Sequence, residues 1–472
     1  MSREKKLVKN TFILSIGTFL PKFASFITLP ILTACLTKEQ YGTYDLLTVL
    51  VSLVLPVCTL QIHTAAFRFL IENRDNKRLA RLYTSNILAF VLPVSFITLL
   101  ILFFVLPISN IGIKAWVCIY FFFDIIVTEI RQIARGLSRN LDYSISAIIS
   151  AIAKMVFALL LVQEFQQELY GAVVSLALSS LISSIYISTR IHLARYIDFK
   201  LVNKSVLKEM LSYSWPMVPN NMSGWVMKVS DRFVVTGVLG LSANAVYAVA
   251  NKFPSLLSLA QTAFTMAWQE NASIASKDED AGKYYSEMFS VMIKFYAGCL
   301  GLIIAATPFL FKVLIRGDYS DAFPQMPLLF VAMFFECMSS FIGGIYIAQK
   351  ATKSVGLTTL AAACCNLLVD ILLIKKIGLY AASGSTLVSY ILLFVYRVIN
   401  VKRIINIKFQ NKTIILSLSV IVIECCLSYI DNYAVYIANI FIGIIAFVFL
   451  NKEILYGLYR KARGLTSHND KN

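Results

Sequence analysis

Apolar residues run along this chain in blocks of about twenty, separated by short polar loops. The blocks fall near 10–35, 43–70, 82–107, 114–136, 142–163, 169–194, 209–238, 243–269, 285–311, 324–348, 354–374, 379–401, 412–430 and 433–452. A helix of that length crosses a hydrocarbon core of roughly 30 Å and satisfies its own backbone hydrogen bonds on the way. The two-residue alternation of a membrane β-barrel strand does not occur. The pattern predicts an all-α integral membrane protein of about 14 transmembrane helices. The loops after 374 and after 430 are only a few residues long, so a count of 12 is the alternative.

Several blocks carry polar residues at helical spacing. Span one has Ser15, Thr18, Lys22 and Ser25; span two has Asp45, Thr48, Ser52 and Thr59; span seven has Asn221, Gly224, Lys228 and Asp231. Span eight has the longest stripe, through Asn244, Tyr247, Asn251, Ser255, Ser258, Thr262, Thr265 and Gln269. One such stripe is compatible with helix packing through small and hydroxyl residues. Four together predict a wet face lining a cavity.

The two halves resemble each other. A shift of 203 residues lays Leu36 on Leu239, Tyr44 on Tyr247, Ile71 on Ile274 and Asp75 on Asp278. Spans one and seven begin on the same side, which predicts a parallel repeat of six spans. The expected organisation is an N-terminal lobe over 1–189, a cytoplasmic linker over 190–208, a C-terminal lobe over 209–402, a helix pair over 403–455 and a cytoplasmic tail over 456–472.

Composition agrees with this reading. Hydrophobic residues make up 58% of the chain and the mean hydropathy is +0.73, far above a soluble domain. The net charge is +17, and its distribution matters more than its size. With the N-terminus inside, the outer loops hold only Lys38, Lys114, Lys312, Arg316, Lys375 and Lys376, and most other basic residues fall on the inner side. Both termini are therefore expected in the cytoplasm. The charge is topological and calls for no nucleic acid; anionic headgroups suffice as its partners.

The basic start, Arg3, Lys5, Lys6 and Lys9, imitates a signal peptide, but the apolar run is too long for one and Pro21-Lys22 interrupts it. Nine cysteines lie mostly within spans without a CxxC pair, and the histidines are His63, His192 and His468, so no metal site is expected. Asp278-Glu279-Asp280 forms a DxD string, but no soluble nucleotide-sugar domain surrounds it. A Walker A loop is also lacking. The expectation is a transporter, not an enzyme, without a cofactor.

The charges inside the spans define what such a cavity holds. They are Lys22, Arg68, Lys154, Lys228, Arg232, Lys252 and Lys294, against Asp124, Glu129, Asp231, Glu336, Asp370 and Glu424. A central charge facing lipid costs about 2.5–3.5 kcal/mol even on the lenient insertion scale. These residues must pair, snorkel or line water. Asp231-Arg232 is expected to contain a structural pair, and Arg68 to snorkel at the end of its span. Lys22, Lys252 and Lys294 have no acid three or four residues away; with Lys228, whose nearest acid is Asp231 three residues on, they are expected as cavity cations, which draw an anionic cargo.

The stretches NTFILSIGTFLPKFASFITLPILTACLTKEQYGTYDLL, LSYSWPMVPNNMSGWVMKVSDRFVVTGVLGLSANAVYAVANKF and FIGGIYIAQKATKS resemble the oligosaccharide-lipid flippases of the Wzx type. These serve lipopolysaccharide O-antigen, capsule or exopolysaccharide synthesis and belong to the multidrug/oligosaccharidyl-lipid/polysaccharide exporter superfamily. The resemblance implies two six-helix lobes around a central cavity, alternating access, and export of undecaprenyl-pyrophosphate-linked oligosaccharide across the bacterial inner membrane. The downstream polysaccharide polymerase machinery is then an expected partner. The extra helix pair is similar to that of the lipid II flippase, so that cargo and a cation-coupled multidrug exporter are the alternatives.

On this reading the pyrophosphate docks on Lys22, Arg232 and Lys252, with Lys228 and Lys294 nearby. Ser15, Thr18, Ser25, Asn221, Asn251, Ser255 and Thr262 supply polar contacts. Asp124, Glu336 and Asp370 are the candidates for coupling to Na+ or H+.

Overall fold

The computed structural model describes residues 3–73 and 76–462, and every regular element within them is a helix, as expected. Side chains are described from Gly17 onward, apart from those of residues 220, 263, 266, 267, 352, 458, 461 and 462. The side chain of Ser15, in the first polar stripe, is not among those described, and Asp75 of the internal repeat lies outside the described residues.

The chain forms two compact units. One comprises residues 1–245 and 314–317, the other residues 246–313 and 318–472. The first contains α1 (Arg3–Cys35), α2 (Lys38–Cys58), α3 (Ile62–Asn73), α4 (Lys77–Val105), α5 (Ile111–Gly136), α6 (Asn140–Phe157), α7 (Glu168–Arg190), α8 (Lys204–Ser214) and α9 (Met217–Leu239). The division falls within α10 (Leu241–Lys252). The second unit continues with α11 (Leu257–Ala275), α12 (Ala281–Leu314), α13 (Met326–Ala348), α14 (Thr352–Ile377), α15 (Leu379–Val401), α16 (Asn411–Ser428), α17 (Tyr433–Leu450) and α18 (Lys452–Ala462).

Polar residues in the short loops start these helices. Thr37 and Gln40 form a reciprocal capping box at α2, each side chain accepting from the other's backbone N–H at 3.2 and 3.0 Å. Asn76, Asn110, Asn203 and Asn432 accept from first-turn amides of α4, α5, α8 and α17. α14 and α15 are separated at Gly378, whose φ of 58° suits glycine, and α16 and α17 by residues 429–432. The two divisions with the shortest loops are therefore real.

Twelve helical segments among the described residues are long and apolar enough to cross a membrane. The two expected spans outside this set are the seventh and eighth. α9 carries Lys228, Asp231 and Arg232, and the eighth is cut in two.

Span two is also broken, against the expectation of one helix over 43–70. Leu60 and Gln61 adopt left-handed φ values of 50° and 59° between α2 and α3, a conformation that side-chain sterics disfavour. In span eight Pro254 stands at the start of a 3-10 turn, Pro254–Leu256, between α10 and α11; its ring and missing N–H prevent a continuous helix. α2 and α10 begin 203 residues apart, the same shift that aligns the sequences.

The first unit is centred on α5, which packs against α3, α4 and α7, while α6 bridges α1 and α7. Its apolar cluster includes Ile62, Ala65, Ala66 and Leu70 from α3, Ile87 and Val91 from α4, and Ile126, Ile130 and Ile133 from α5. Residues 190–208 fold back onto α4. Arg81 donates to Arg195 O at 2.7 Å, Asp198 N to Ser85 Oγ at 2.8 Å and Asn203 N to Asn86 Oδ1 at 2.9 Å.

In the second unit α13 packs on α11 and α15, and α14 on α15. Trp268 of α11 stacks on Phe341 of α13 with centroids 4.2 Å apart and donates its indole N–H to Phe341 O at 2.9 Å. α16 and α17 form a hairpin whose Glu424 and Phe447 lie against Gly301 and Gly298 of α12.

Candidate functional site

The polar stripes of spans two and seven meet. α2 packs along α9, and Arg232 Nη1 donates to Asp45 Oδ2 at 2.5 Å, with 16% and 5% of the two side chains exposed. Two helical turns further along the same contact, Trp225 Nε1 donates to Ser52 Oγ at 2.9 Å. Spacing of three to four residues puts Asp45, Thr48 and Ser52 on one face of α2, and of Trp225, Lys228 and Arg232 on one face of α9. The charge of Arg232 is thus balanced across helices by Asp45. The expectation had offered Asp231, its neighbour in sequence; Asp231 is itself buried.

At the start of α10, Asn244 donates to Gly42 O of α2 at 3.0 Å, and Gly42 lies directly against the Leu241 carbonyl. The two repeat-related helix starts touch here, and a side chain at Gly42 would displace them.

Lys22 is half-buried and Lys228 exposed, with Asn221 exposed two turns before Lys228. Thr18 and Ser25 flank Lys22 on α1, and the Ser25 hydroxyl donates to Lys22 O at 2.7 Å. α1 packs mainly on α6, with Gly17 against Ser144.

Lys252 and Lys294 belong to the second unit, and both are half-buried. Lys252 ends α10, where the free carbonyls of a helix C-terminus favour a cation. Asn251 donates to Tyr247 O at 2.9 Å, Ser255 to Lys252 O at 2.6 Å and Thr262 to Ser258 O at 2.7 Å. These groups spend their donor on the local backbone and retain acceptor capacity for a ligand.

The coupling candidates differ in setting. Asp124 of α5 accepts from Ser180 Oγ of α7 at 3.2 Å. Glu336 of α13 and Asp370 of α14 are buried inside the second unit, at 5% and 0% exposure.

Two arginines that sequence reasoning left among the loop charges turn out to organise the interior. Arg131 of α5 donates to Ser146 Oγ and O at 3.1 Å and to Ser183 Oγ at 2.8 Å, tying α5 to α6 and α7. Arg397 of α15, 4% exposed, donates to Ser339 O at 2.6 Å, Thr359 Oγ1 at 3.0 Å and Thr358 Oγ1 at 3.1 Å, tying α15 to α13 and α14. Each lies within six residues of a helix end, so charge counting assigned it to the adjoining loop. The serine and threonine clusters on neighbouring spans were the signal that distinguishes them.

Among the described residues no group of three His, Cys, Asp or Glu side chains is placed to hold a metal. A family profile described as "Polysaccharide biosynthesis protein" matches residues 7–269, which takes in every polar stripe and the broken spans two and eight. The chain belongs to the polysaccharide biosynthesis protein family. Comparison with curated protein sequences gives no match.

Solved structures extend the fold over nearly the whole family member. The lipid II flippase MurJ in an inward closed conformation superposes with a TM-score of 0.71 at 14% identity, covering 95% of this chain and 100% of that one. An inward-facing multidrug resistance MATE family transporter of the MOP superfamily gives 0.68 at 13% identity over 83% and 98%. A MOP superfamily transporter from Pyrococcus furiosus, described as having a reversed binding-pocket polarity, gives 0.60 at 12% identity over 86% and 97%. At these identities the likeness establishes a shared fold. The protein is thus a multi-pass membrane protein of the polysaccharide biosynthesis family with the architecture of these transporters.

Proposed function

We propose that this chain flips an undecaprenyl-pyrophosphate-linked oligosaccharide repeat unit from the cytoplasmic to the outer leaflet of the bacterial inner membrane. The observation that carries this reading is the excess of basic side chains on the polar helices of a polysaccharide biosynthesis family member. Lys22, Lys228 and Lys252 lie on spans one, seven and eight, and Lys294 on span nine. Cationic groups on water-lined helices favour a pyrophosphate and repel the organic cations that a multidrug exporter carries. The hydroxyls of Thr18, Ser25, Ser255 and Thr262 and the amides of Asn221 and Asn251 suit a sugar.

Pyrophosphate docks on Lys22 and Lys252, with Arg232 held ready by Asp45, and the cycle exposes the cargo outward by alternating access. Return of the empty carrier is coupled to Na+ or H+ through Asp124, Glu336 or Asp370. The oligosaccharide then passes to the downstream polymerase machinery. A second reading, lipid II export, is supported by one observation, that the likeness to the lipid II flippase covers 95% of the chain and so takes in α16 and α17.

Deleting the gene and measuring undecaprenyl-linked glycans by mass spectrometry, together with surface polysaccharide on intact cells, tests this. Completed lipid-linked repeat units should accumulate and surface glycan should fall. Restoring the gene as Lys22→Ala or Lys252→Ala should leave the protein abundant in the membrane but the build-up at least about tenfold above wild type, the effect of losing one charge-assisted contact of about 1.5–3 kcal/mol. Accumulation of lipid II alone would select the second reading, and unchanged lipids would overturn both.

A further inference from the structure

The break in span two adjoins two facing titratable groups, a fully buried carboxyl and a half-buried imidazole. His63 stands in the first turn of α3, directly after the left-handed residues Leu60 and Gln61. Its Nδ1 lies 3.6 Å from Oε1 of Glu129 on α5, a few tenths of an ångström beyond a hydrogen bond. Glu129 is fully buried, and neither carboxyl oxygen has a closer hydrogen-bond partner. Around it runs the apolar cluster of the first unit, with Ile62, Ala65 and Ala66 of α3 and Ile125, Ile126 and Ile130 of α5.

The other charges on the elements packed here are engaged elsewhere or face solvent. Arg131 bonds Ser146 and Ser183, Asp124 accepts from Ser180, and Arg135 lies over the Phe67 and Tyr143 rings. Arg190 pairs with Asp142, Arg68 with Glu72, and Arg81 donates to Arg195 O. Lys77 and Arg78 of α4 and Lys204, Lys208 and Glu209 of α8 are exposed. His63 is the titratable group that meets Glu129.

Besides His63 the carboxyl meets apolar side chains and one hydroxyl, that of Thr59, which donates to Leu55 O at 2.9 Å; an ionised carboxylate there is strongly unfavourable, whereas a carboxyl and imidazole that share one proton are neutral as a pair. We propose that His63 and Glu129 form a one-proton binding site, and that its occupancy decides whether the break in span two stays packed against α5. With the proton in place the pair is neutral and the break stays closed. Loss of the proton leaves a single negative charge that must reach water, and the segment that already lacks regular helix, Thr59 to Ile62, is the one that can open to admit it. This site is separate from the coupling candidates above and depends on no particular cargo.

Proton linkage gives the sign and the slope. The closed state binds one proton more than the open state, so closure is most stable at low pH and weakens as pH rises, by tenfold per pH unit across the titration range. Hydrogen–deuterium exchange of the full-length protein in lipid vesicles reads this directly, in the peptide containing Thr59 to Thr64 and after correction for intrinsic amide chemistry. Wild type should show opening that rises about tenfold per pH unit over part of the series. Glu129→Gln retains the shape of the protonated carboxyl without its charge, and should stay protected and flat. A flat wild-type profile, or a Glu129→Gln profile that follows a sloping wild type, overturns the proposal. If Glu129→Gln does not reach the membrane, infrared titration of the protonated-carboxyl band replaces it. That band should titrate at a different pH in His63→Gln, and an identical titration overturns the proposal.

Discussion

Asp45 and Arg232 show what a charge within a span requires. Each would be intolerable alone at its depth of burial, and together they form a charge-assisted bond between α2 and α9. Asp45→Ala should therefore destabilise the protein by about 2–3 kcal/mol, below the roughly 3–5 kcal/mol of a fully enclosed pair because Arg232 keeps some contact with water. The double variant Asp45→Ala/Arg232→Ala should lose less than the sum of the two single changes, measured by thermal unfolding in detergent. Additive losses would show that the pair contributes nothing as a pair. Both polar faces were legible in the sequence because helical spacing reveals a stripe without knowledge of its partner. The pairing was not, since it joins positions 187 residues apart and nothing local to Arg232 points to Asp45. Arg131 and Arg397 were missed for a related reason: hydropathy treats a basic residue near a helix end as a loop residue, while the hydroxyls that hold it come from other helices.

At the level of elements, the positions of helices were the most legible part of the fold, because each apolar block had to bury its backbone inside a bilayer. Interruptions within blocks were harder to see. Pro254 announces the break in span eight, but the break in span two rests on Leu60 and Gln61, which carry no turn signal, and it is held by packing of α3 on α5. The attachment of the last helix pair was equally hidden, since it depends on the absence of side chains in α12. A Cβ at Gly301 would press on the Glu424 carboxyl of α16, which also lies near Gly443 of α17. Gly301→Ala should lower stability by about 1–3 kcal/mol through this overlap. Shortening the opposing side chain should relieve it, so Gly301→Ala/Glu424→Ala should unfold at a higher temperature than Gly301→Ala alone. Thermal unfolding of the wild type and the two variants measures this, and a double variant less stable than Gly301→Ala would place the overlap elsewhere.

For the whole molecule, the number of bilayer crossings turns on the polar helices α9 and α10–α11. Among the described residues twelve segments are long and apolar enough to cross, and these two are not among them. A protein interior changes that criterion, because a helix whose polar stripe faces water or other helices does not expose its charges to lipid. Asp45 neutralises Arg232, and Trp225 bonds Ser52, which removes much of the penalty that hydropathy assigns to α9. The charge bias of the loops is consistent with either count, since adding or removing two consecutive spans leaves every later loop on the same side. Only the short connection at Gly240 changes sides: it faces outward if α9 and α10–α11 both cross, and inward if neither does. Leu239 is exposed at this connection, so Leu239→Cys, in a background without the nine native cysteines, reports its side by labelling with a membrane-impermeant thiol reagent. Lys200→Cys, expected inside, and Asp431→Cys, expected outside, serve as references on either side. Labelling of Leu239→Cys on intact spheroplasts to the level of Asp431→Cys is the expected outcome and establishes fourteen crossings. Labelling only after permeabilisation, as for Lys200→Cys, would leave twelve and would move Lys228 and Lys252 out of the transport path.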